Sequence, residues 1–345
     1  MENVNKYSFE ELYNQLYEKN FSELEGLRNE RKSKTTKYFP WITMILFGFF
    51  GAGICSSFGI PEETYVYWAL FAFIILGFLS MMILFGKGIT KWTKEYNILD
   101  EKGNINEANL KAGIKKSQPY KYVFKEKIIK PIVECAVEGS LYTPDKGLNE
   151  QEYYKVWEKA DVFSSEDEII MNLDLTNKGS GKLQLIMSEV LTQDEEIDDG
   201  ERTYVTRFHG LAGYVHLPKN VGAYIKVMRD KNKLFKKSKD NVQMDMQEFE
   251  KIFDVETNDK IKAVQIFTSD IMTEFVDIVK SFDVEFEIYI NYNILHMRFH
   301  TGEMFEPQMF GKSMQFEKLK KYYDMVIAIK YITEKICNTI NELDI

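Results

Sequence analysis

Hydrophobic and polar positions fall along this chain in three regimes. Phe39 to Pro61 and Thr64 to Gly86 are two uncharged apolar runs separated only by Glu62 and Glu63. As a helix rising about 1.5 Å per residue, each is long enough to cross a hydrocarbon core of roughly 30 Å. Ahead of them, Ser8-Phe9-Glu10-Glu11 has the form of a capping box, and Phe9, Leu12, Leu16, Leu24 and Leu27 make a broken apolar face. This predicts a helix leading towards the first run.

Beyond the runs the pattern is polar from Lys87 to about Lys116, which reads as a helical continuation and a linker. Tyr120 to Glu138 is amphipathic, with Phe124, Ile128, Ile132, Cys135 and Ala136 on one face, and Pro131 predicts a kink or break inside it. From about Glu168 the period changes to two. Ile169, Met171, Leu173 and Leu175 alternate with Ile170, Asn172 and Asp174; Leu183 to Met187, Leu211 to Val215 and Ala223 to Met228 follow suit. These predict antiparallel strands, with Asn177 to Gly181 as the turn between the first two. Val264 to Phe267 reads as a further strand and Ser269 to Phe282 as a helix. Val284 to Ile290 pairs with Leu295 to Phe299 across Asn291-Tyr292-Asn293, and a long helix runs from about Ser313 to Leu343. The order predicts an α+β fold: a two-span transmembrane helical hairpin plus a domain with an antiparallel sheet and a long C-terminal helix. The expected division is 1–37 N-terminal helix, 38–89 hairpin, 90–118 linker and 119–345 α+β domain.

Charge orients the hairpin. Arg28, Arg31, Lys32, Lys34 and Lys37 precede the first run and Lys87, Lys91 and Lys94 follow the second, with no basic residue between the runs. Basic flanks stay on the cytoplasmic side, so both termini are expected there, with Pro61-Glu62-Glu63 turning outside. Trp41, Tyr65, Tyr67, Trp68 and Trp92 lie near the span ends, where amphipathic rings prefer to sit. A long, mostly polar segment before the first run argues against a signal peptide. Gly48, Ala52 and Ser56 recur every four residues, a seam for packing against the second span in preference to a homo-oligomer. No ionisable residue falls inside either run, which argues for an anchor over a pump or carrier and leaves an oligomeric channel as an alternative. The net charge of −9 argues against nucleic-acid binding. The three cysteines, Cys55, Cys135 and Cys337, form no metal-type pair or disulfide framework. Cys135 and Cys337 read as buried small hydrophobes.

Candidate chemistry is sparse. His296 and His300 sit in a strand pattern, where four residues separate side chains by about 13 Å, too far for one ion. His209 and His216 fall on opposite strand faces. The acidic run Asp194 to Glu201 lacks the Gly and Glu of a calcium loop and reads as a solvated loop between strands. Gly179-Ser180-Gly181-Lys182 lacks the Ser or Thr and the helix of a phosphate loop. No metal or cofactor residues are assigned, and no catalytic set can be identified from spacing. Lys226, Arg229, Lys231, Lys233, Lys236, Lys237 and Lys239 form the one strongly basic stretch of the body, which reads first as a solvated loop and, as the alternative, as a contact for anionic lipid beside the leaflet.

A set of ordered stretches resembles a bacterial family of membrane proteins known as domain of unknown function 3137. They are Phe124 to Ile129, Tyr142 to Gly147, Ser164-Ser165-Glu166-Asp167, Met187-Ser188-Glu189-Val190, Phe208-His209-Gly210-Leu211, Glu248 to Val255 and Phe305-Glu306-Pro307. The resemblance implies a bacterial inner or plasma membrane protein and supplies no catalytic residues. The expected function is a membrane-anchored interaction or scaffolding module that meets a protein or lipid partner at the inner face. The alternatives are a membrane-bound hydrolase of lipid or envelope precursors and an oligomeric channel.

Overall fold

The computed structural model describes residues 8–36, 39–57, 65–95, 118–175, 183–198, 201–229, 240–308 and 311–343. The chain divides into two compact units. One comprises residues 1–19, 124–306 and 314–345; the other comprises 20–123 and 307–313.

The larger unit is built on a nine-stranded sheet whose strand pairs are all antiparallel. Its strands are β1 (Leu141–Thr143), β2 (Val162–Leu173), β3 (Leu183–Asp198), β4 (Glu201–His216) and β5 (Tyr224–Arg229), then β6 (Asn241–Val242), β7 (Phe253–Thr257), β8 (Phe286–Asn291) and β9 (Ile294–Phe299). Their order is β1-β2-β3-β4-β9-β8-β5-β7-β6. One row of paired residues crosses every strand: Tyr142, Ile169, Met187, Gly213, Met297, Ile288, Val227, Val255 and Val242. All are buried. Side chains alternate faces along a strand, so this row is the centre line of one apolar face. Only glycine fits at position 213, because a Cβ there would overlap the Ile186 carbonyl oxygen and the Met187 sulfur.

That face is covered by helices. The C-terminal helix, Phe316–Glu342, buries Leu319, Val326, Ile329, Ile332, Ile336 and Ile340 at helical spacing. The Thr333 hydroxyl of this helix lies 3.6 Å from the Met297 sulfur on the central row. The helix Ser269–Phe282, predicted over the same residues, buries Ile271, Phe275, Ile278 and Phe282 on one face. Its Phe275 ring meets Phe249, Phe253 and Phe286 at 5.0–6.0 Å. Within the same unit, Phe9 stands 5.3 Å from the Phe316 ring and 5.1 Å from Tyr323. The opposite face is covered near β3 and β4 by Leu148, Tyr153 and Trp157 packed on Val190, Phe208 and Ala212.

Two predicted elements change. Val264 to Phe267 is no strand: Lys260–Ile266 is a helix capped by Asp259, whose side chain accepts from the Lys262 amide. Ala263 and Ile266 are its buried pair, and so short an apolar run does not separate helix from strand by periodicity. The acidic run is no loop. Asp194 to Asp198 extends β3 and Glu201 opens β4, in register from Gln193↔Thr206 to Asp198↔Glu201. Ile197 is set among acids on one strand and Tyr204 and Val205 are adjacent on the other, a weak apolar signal masked by the charge. The predicted turn at 177–181 lies outside the described residues, as do Pro61-Glu62-Glu63 and most of the linker.

In the smaller unit, helices α1 (Phe9–Thr36), α2 (Phe39–Ser57) and α3 (Tyr65–Glu95) follow one another; the start of α1 belongs to the larger unit. The capping box holds: the Glu11 amide donates to Ser8 Oγ at 3.3 Å and the Ser8 amide to Glu11 Oε2 at 3.1 Å. One described helix, Trp68–Thr90, is long and apolar enough to cross a membrane. Phe47 of α2 and Phe73 of α3 meet edge to face at 6.0 Å. The close approach falls at Gly77, where a Cβ would stand 3.3 Å from the Trp41 carbonyl oxygen. The side chains of the predicted seam, Gly48, Ala52 and Ser56, lie outside the described ones.

Candidate functional site

Three local irregularities bring ionisable groups together on the helix-covered face of the large unit. The first is in the amphipathic stretch around Pro131. The chain passes from α4 (Pro119–Phe124) through a π-helical turn (Lys125–Ile129) into α5 (Lys130–Ala136). The Lys130 amide donates to the Lys125 carbonyl, five residues back, so a widened turn replaces the predicted break. Lys125 opens that turn with no exposed surface. The second is a bulge in β2 between Glu166 and Ile169. Asp167 there takes the left-handed conformation, φ 61°. Regular alternation would send Glu166 and Asp167 to opposite faces, and the bulge turns both towards Lys125. The third is the turn after β9, which delivers Glu306 just before Pro307.

The result is a lysine inside a carboxylate cage. Lys125 Nζ lies 2.6 Å from Asp167, 2.6 Å from Glu306 and 3.3 Å from Glu166. Tyr142 donates its hydroxyl to the other oxygen of Asp167. The loop Pro144 to Gly147 seals the bulge, accepting the Asp167 amide at Pro144 and the Glu168 amide at Lys146. Gly147 packs against Ser165 so closely that a Cβ would overlap its backbone.

Burial opposes the Lys125 charge, but Asp167, Glu306 and Glu166 outweigh it and hold the ammonium above the usual lysine range. Burial pushes the Asp167 carboxyl up to about 7, against the pull of Lys125 and the Tyr142 hydrogen bond. Burial, then the Asp167 charge, raises the Tyr142 hydroxyl. Three acids face one base here, so the cage can carry a proton near neutral pH. Glu166, Asp167 and Glu306 are also the group whose carboxylate oxygens lie within 4.8 Å of one another, as a metal would require. The Lys125 ammonium takes that position, so a divalent ion would have to displace it.

A second buried acid supports the first group. Glu189 accepts from the Met304 and Phe305 amides at 3.0 and 3.4 Å and so fixes the residues before Glu306. Its other oxygen lies 3.3 Å from His209 Nε2, a contact that raises the His209 pKa. His216 points to the opposite face and meets the Tyr214 ring at 5.8 Å. His296 is buried on that same face with Nε2 unpartnered, and burial depresses it to about 4. Cys337 is fully buried and its thiol is pushed up to about 12 by desolvation, as suits a packing role. Cys135 is partly buried, with its thiol raised for the same reason.

The basic stretch fares differently along its length. Lys226 is half-buried in β5, paired with Glu256 and Tyr289 across the sheet. Arg229 is ion-paired with Glu285. Lys231, Lys233, Lys236, Lys237 and Lys239 lie outside the described residues. Sequence reasoning singled out no member of the cage as ionisable chemistry. A signal was nevertheless present, because Lys125, Tyr142, Glu166, Asp167, Glu189, His209 and Glu306 all fall in the stretches that carried the family resemblance. The remaining stretch, Glu248 to Val255, builds the other end of the sheet with Phe249 and Phe253 in its core.

The fold is a mixed one of helices on an antiparallel sheet, closed by a long C-terminal helix. Residues 206–337 match the model of the family described as Protein of unknown function (DUF3137). The match takes in His209, Glu306 and most of the C-terminal helix, and leaves Lys125, Tyr142, Glu166, Asp167 and Glu189 outside. No curated protein and no solved structure matches the chain.

Proposed function

We propose that the chain is a membrane-anchored interaction module of a bacterial inner or plasma membrane. In this reading α2 and α3 form a two-span hairpin with both flanks cytoplasmic, and the sheet-bearing unit meets a protein partner at the inner face. Basic flanks on both runs and none between them support the orientation. Broad apolar exposure along both helices, at Phe47, Phe50, Phe71, Phe78, Met82 and Phe85 among others, supports lipid contact.

The observation that carries the reading is the outer half of the β3–β4 hairpin. The β2 strand stops pairing with β3 at Gln193, and β9 stops pairing with β4 at Leu211. From Asp194 to Asp198 and from Glu201 to Thr206 no third strand pairs with this two-stranded ribbon among the described residues, though the Glu195 amide donates to Asp161, and Ile197 is 68% and Tyr204 52% exposed. Register puts these two on one face with the Arg202–Glu195 ion pair, and Asp194, Glu196, Asp198 and Glu201 on the other. Exposed apolar side chains rimmed by charge mark contact surfaces, and the excess of acids fits a partner with basic groups beside an apolar patch. A hydrolase would need solvent at its ionisable groups, and Lys125 and Asp167 have none. In the lipid part of the reading, the lysines of 231–239 supply attraction to the anionic leaflet, each about 1 kcal/mol near the surface.

The test is purification of the full chain from native membranes in mild detergent, alongside an Ile197→Ser/Tyr204→Ser variant, with mass spectrometry of protein and lipid. A stoichiometric partner retained by the parent and lost by the variant is expected. Equal recovery in both would refute the ribbon as the contact; recovery of no partner, with conductance in reconstituted bilayers, would favour the channel.

A further inference from the structure

A cleft of about 160 Å³ opens beside the cage, lined by Thr301, Glu303, Lys318, Lys321 and Tyr322 among others. It lies in the larger unit, where the first turns of the C-terminal helix pass the loop that Glu189 clamps. Lys318, Lys321 and Tyr322 are spaced i, i+3 and i+4 and so share a helix face. Two observations point to a ligand. The Tyr322 side chain is more than nine-tenths buried, and its hydroxyl has no hydrogen-bond partner among the described residues. Buried hydroxyls are nearly always satisfied, so an orphan one calls for a missing group. Lys318 is the second. It is half-buried, its ammonium stands 5.6 Å from the Tyr322 ring centroid, and neither it nor Lys321 makes an ion pair with a described residue.

We propose that this cleft binds a small phosphate-type monoanion, held by Lys318 and Lys321 with the Tyr322 hydroxyl as donor. The lining itself carries Lys318 and Lys321 against Glu303, a single positive charge that a monoanion neutralises, while Glu189 and Glu306 act on Lys318 from outside the lining. A phosphodiester headgroup and free inorganic phosphate share this chemistry. The volume suits a headgroup or a free ion and falls short of the 300–1,000 Å³ typical of drug-sized ligand sites. Burial lowers the Lys318 pKa, and a bound anion would oppose that cost. The site is independent of the ribbon and of the proposed scaffolding role.

The experiment is thermal unfolding of the full chain in detergent at pH 7, titrated with inorganic phosphate, with dihexanoyl phosphatidylglycerol, or with dihexanoyl phosphatidylcholine as a net-neutral control. A saturable rise in Tm with phosphate or phosphatidylglycerol, absent with the control, is expected. A response to the lipid alone identifies the headgroup as the source; a response to phosphate alone identifies a soluble anion. Lys318→Gln should weaken the half-saturation concentration by about tenfold or more, the weight of a charge-assisted hydrogen bond. Tyr322→Phe keeps the ring and removes an unsatisfied hydroxyl. Its ligand-free Tm should hold or rise while its response to the anion falls several-fold. Lys260→Gln, far along the chain on a different helix, should respond like the parent. The proposal is overturned if neither anion gives a saturable shift, or if Lys318→Gln, folded by circular dichroism, responds like the parent.

Discussion

The lysine cage and the β3–β4 ribbon are both rich in acids, and they stand at opposite extremes of solvation. In the cage, Lys125 and Asp167 have no exposed surface and every charge is held by a partner across 125 to 306 in sequence. In the ribbon, Glu196 and Glu201 are exposed, Asp194 is ion-paired with Arg207, and among the described residues the only strand pairing is between β3 and β4. The same residue types therefore do different work. Buried, a carboxylate fixes geometry because leaving it unpaired is costly; exposed, it tunes solubility and partner choice at little cost to stability. The contrast gives the cage a part in structural specification and, under the proposed function, gives the ribbon the part of recognition.

The contrast can be broken most forcefully at Lys125. Lys125→Met leaves Asp167 buried without its counter-ion and should cost about 3–5 kcal/mol in denaturant unfolding, and Lys125→Met/Asp167→Leu should recover most of it. If the single change costs no more than a surface substitution, the cage is not the structural element described here. Next is pH. The folded Asp167 carboxyl, at about 7, lies above its ordinary unfolded value of about 3.9. Its contribution is fully present below about pH 4 and is lost as pH rises through about 7. Asp167→Asn should remove this term, so the stability difference between parent and variant should shrink in the parent's disfavour from pH 4 to pH 8. A parallel pair of stability curves would rule it out.

His296 should show the opposite slope. Burial holds its folded value at about 4, below the ordinary 6.5, so the unfolded chain binds the extra proton. Its contribution is present above about pH 6.5 and is lost as pH falls towards 4, about 3 kcal/mol in all. Removing the ring as His296→Gln should flatten that acid limb alone. The smallest effect belongs to the ribbon. Ile197→Ser/Tyr204→Ser should change unfolding free energy by within about 0.5 kcal/mol per site, while abolishing partner retention. A large loss of stability there would make the ribbon part of the core and end the comparison.

Much of the architecture was legible in the sequence. Ser8 and Glu11 announced the capping box, and the period-two run from Ile169 announced β2. Asn291-Tyr292-Asn293 announced the β8–β9 turn, and Leu319 to Ile340 announced the C-terminal helix. These are local signals, since capping, alternation and helical spacing act over a few residues. The acidic arm of β3 was misread because charge outweighed a weak apolar signal, and pairing with β4 supplied the missing support. Lys260–Ile266 was misread because four apolar letters fit either period, and the Asp259 cap decided it.

The cage was legible only as quoted stretches of a family resemblance. Nothing in Lys125, Asp167 or Glu306 alone separates them from the many acids and bases on the surface. Their meeting depends on a π turn, a bulge and a loop, each an irregularity that periodicity cannot forecast. By itself, then, the sequence determined the apolar runs, their charged flanks and the order of strands and helices, because burial and chain geometry read local patterns. The tertiary structure decided which acids are buried and which face a partner, because that depends on long-range pairing that no short stretch encodes.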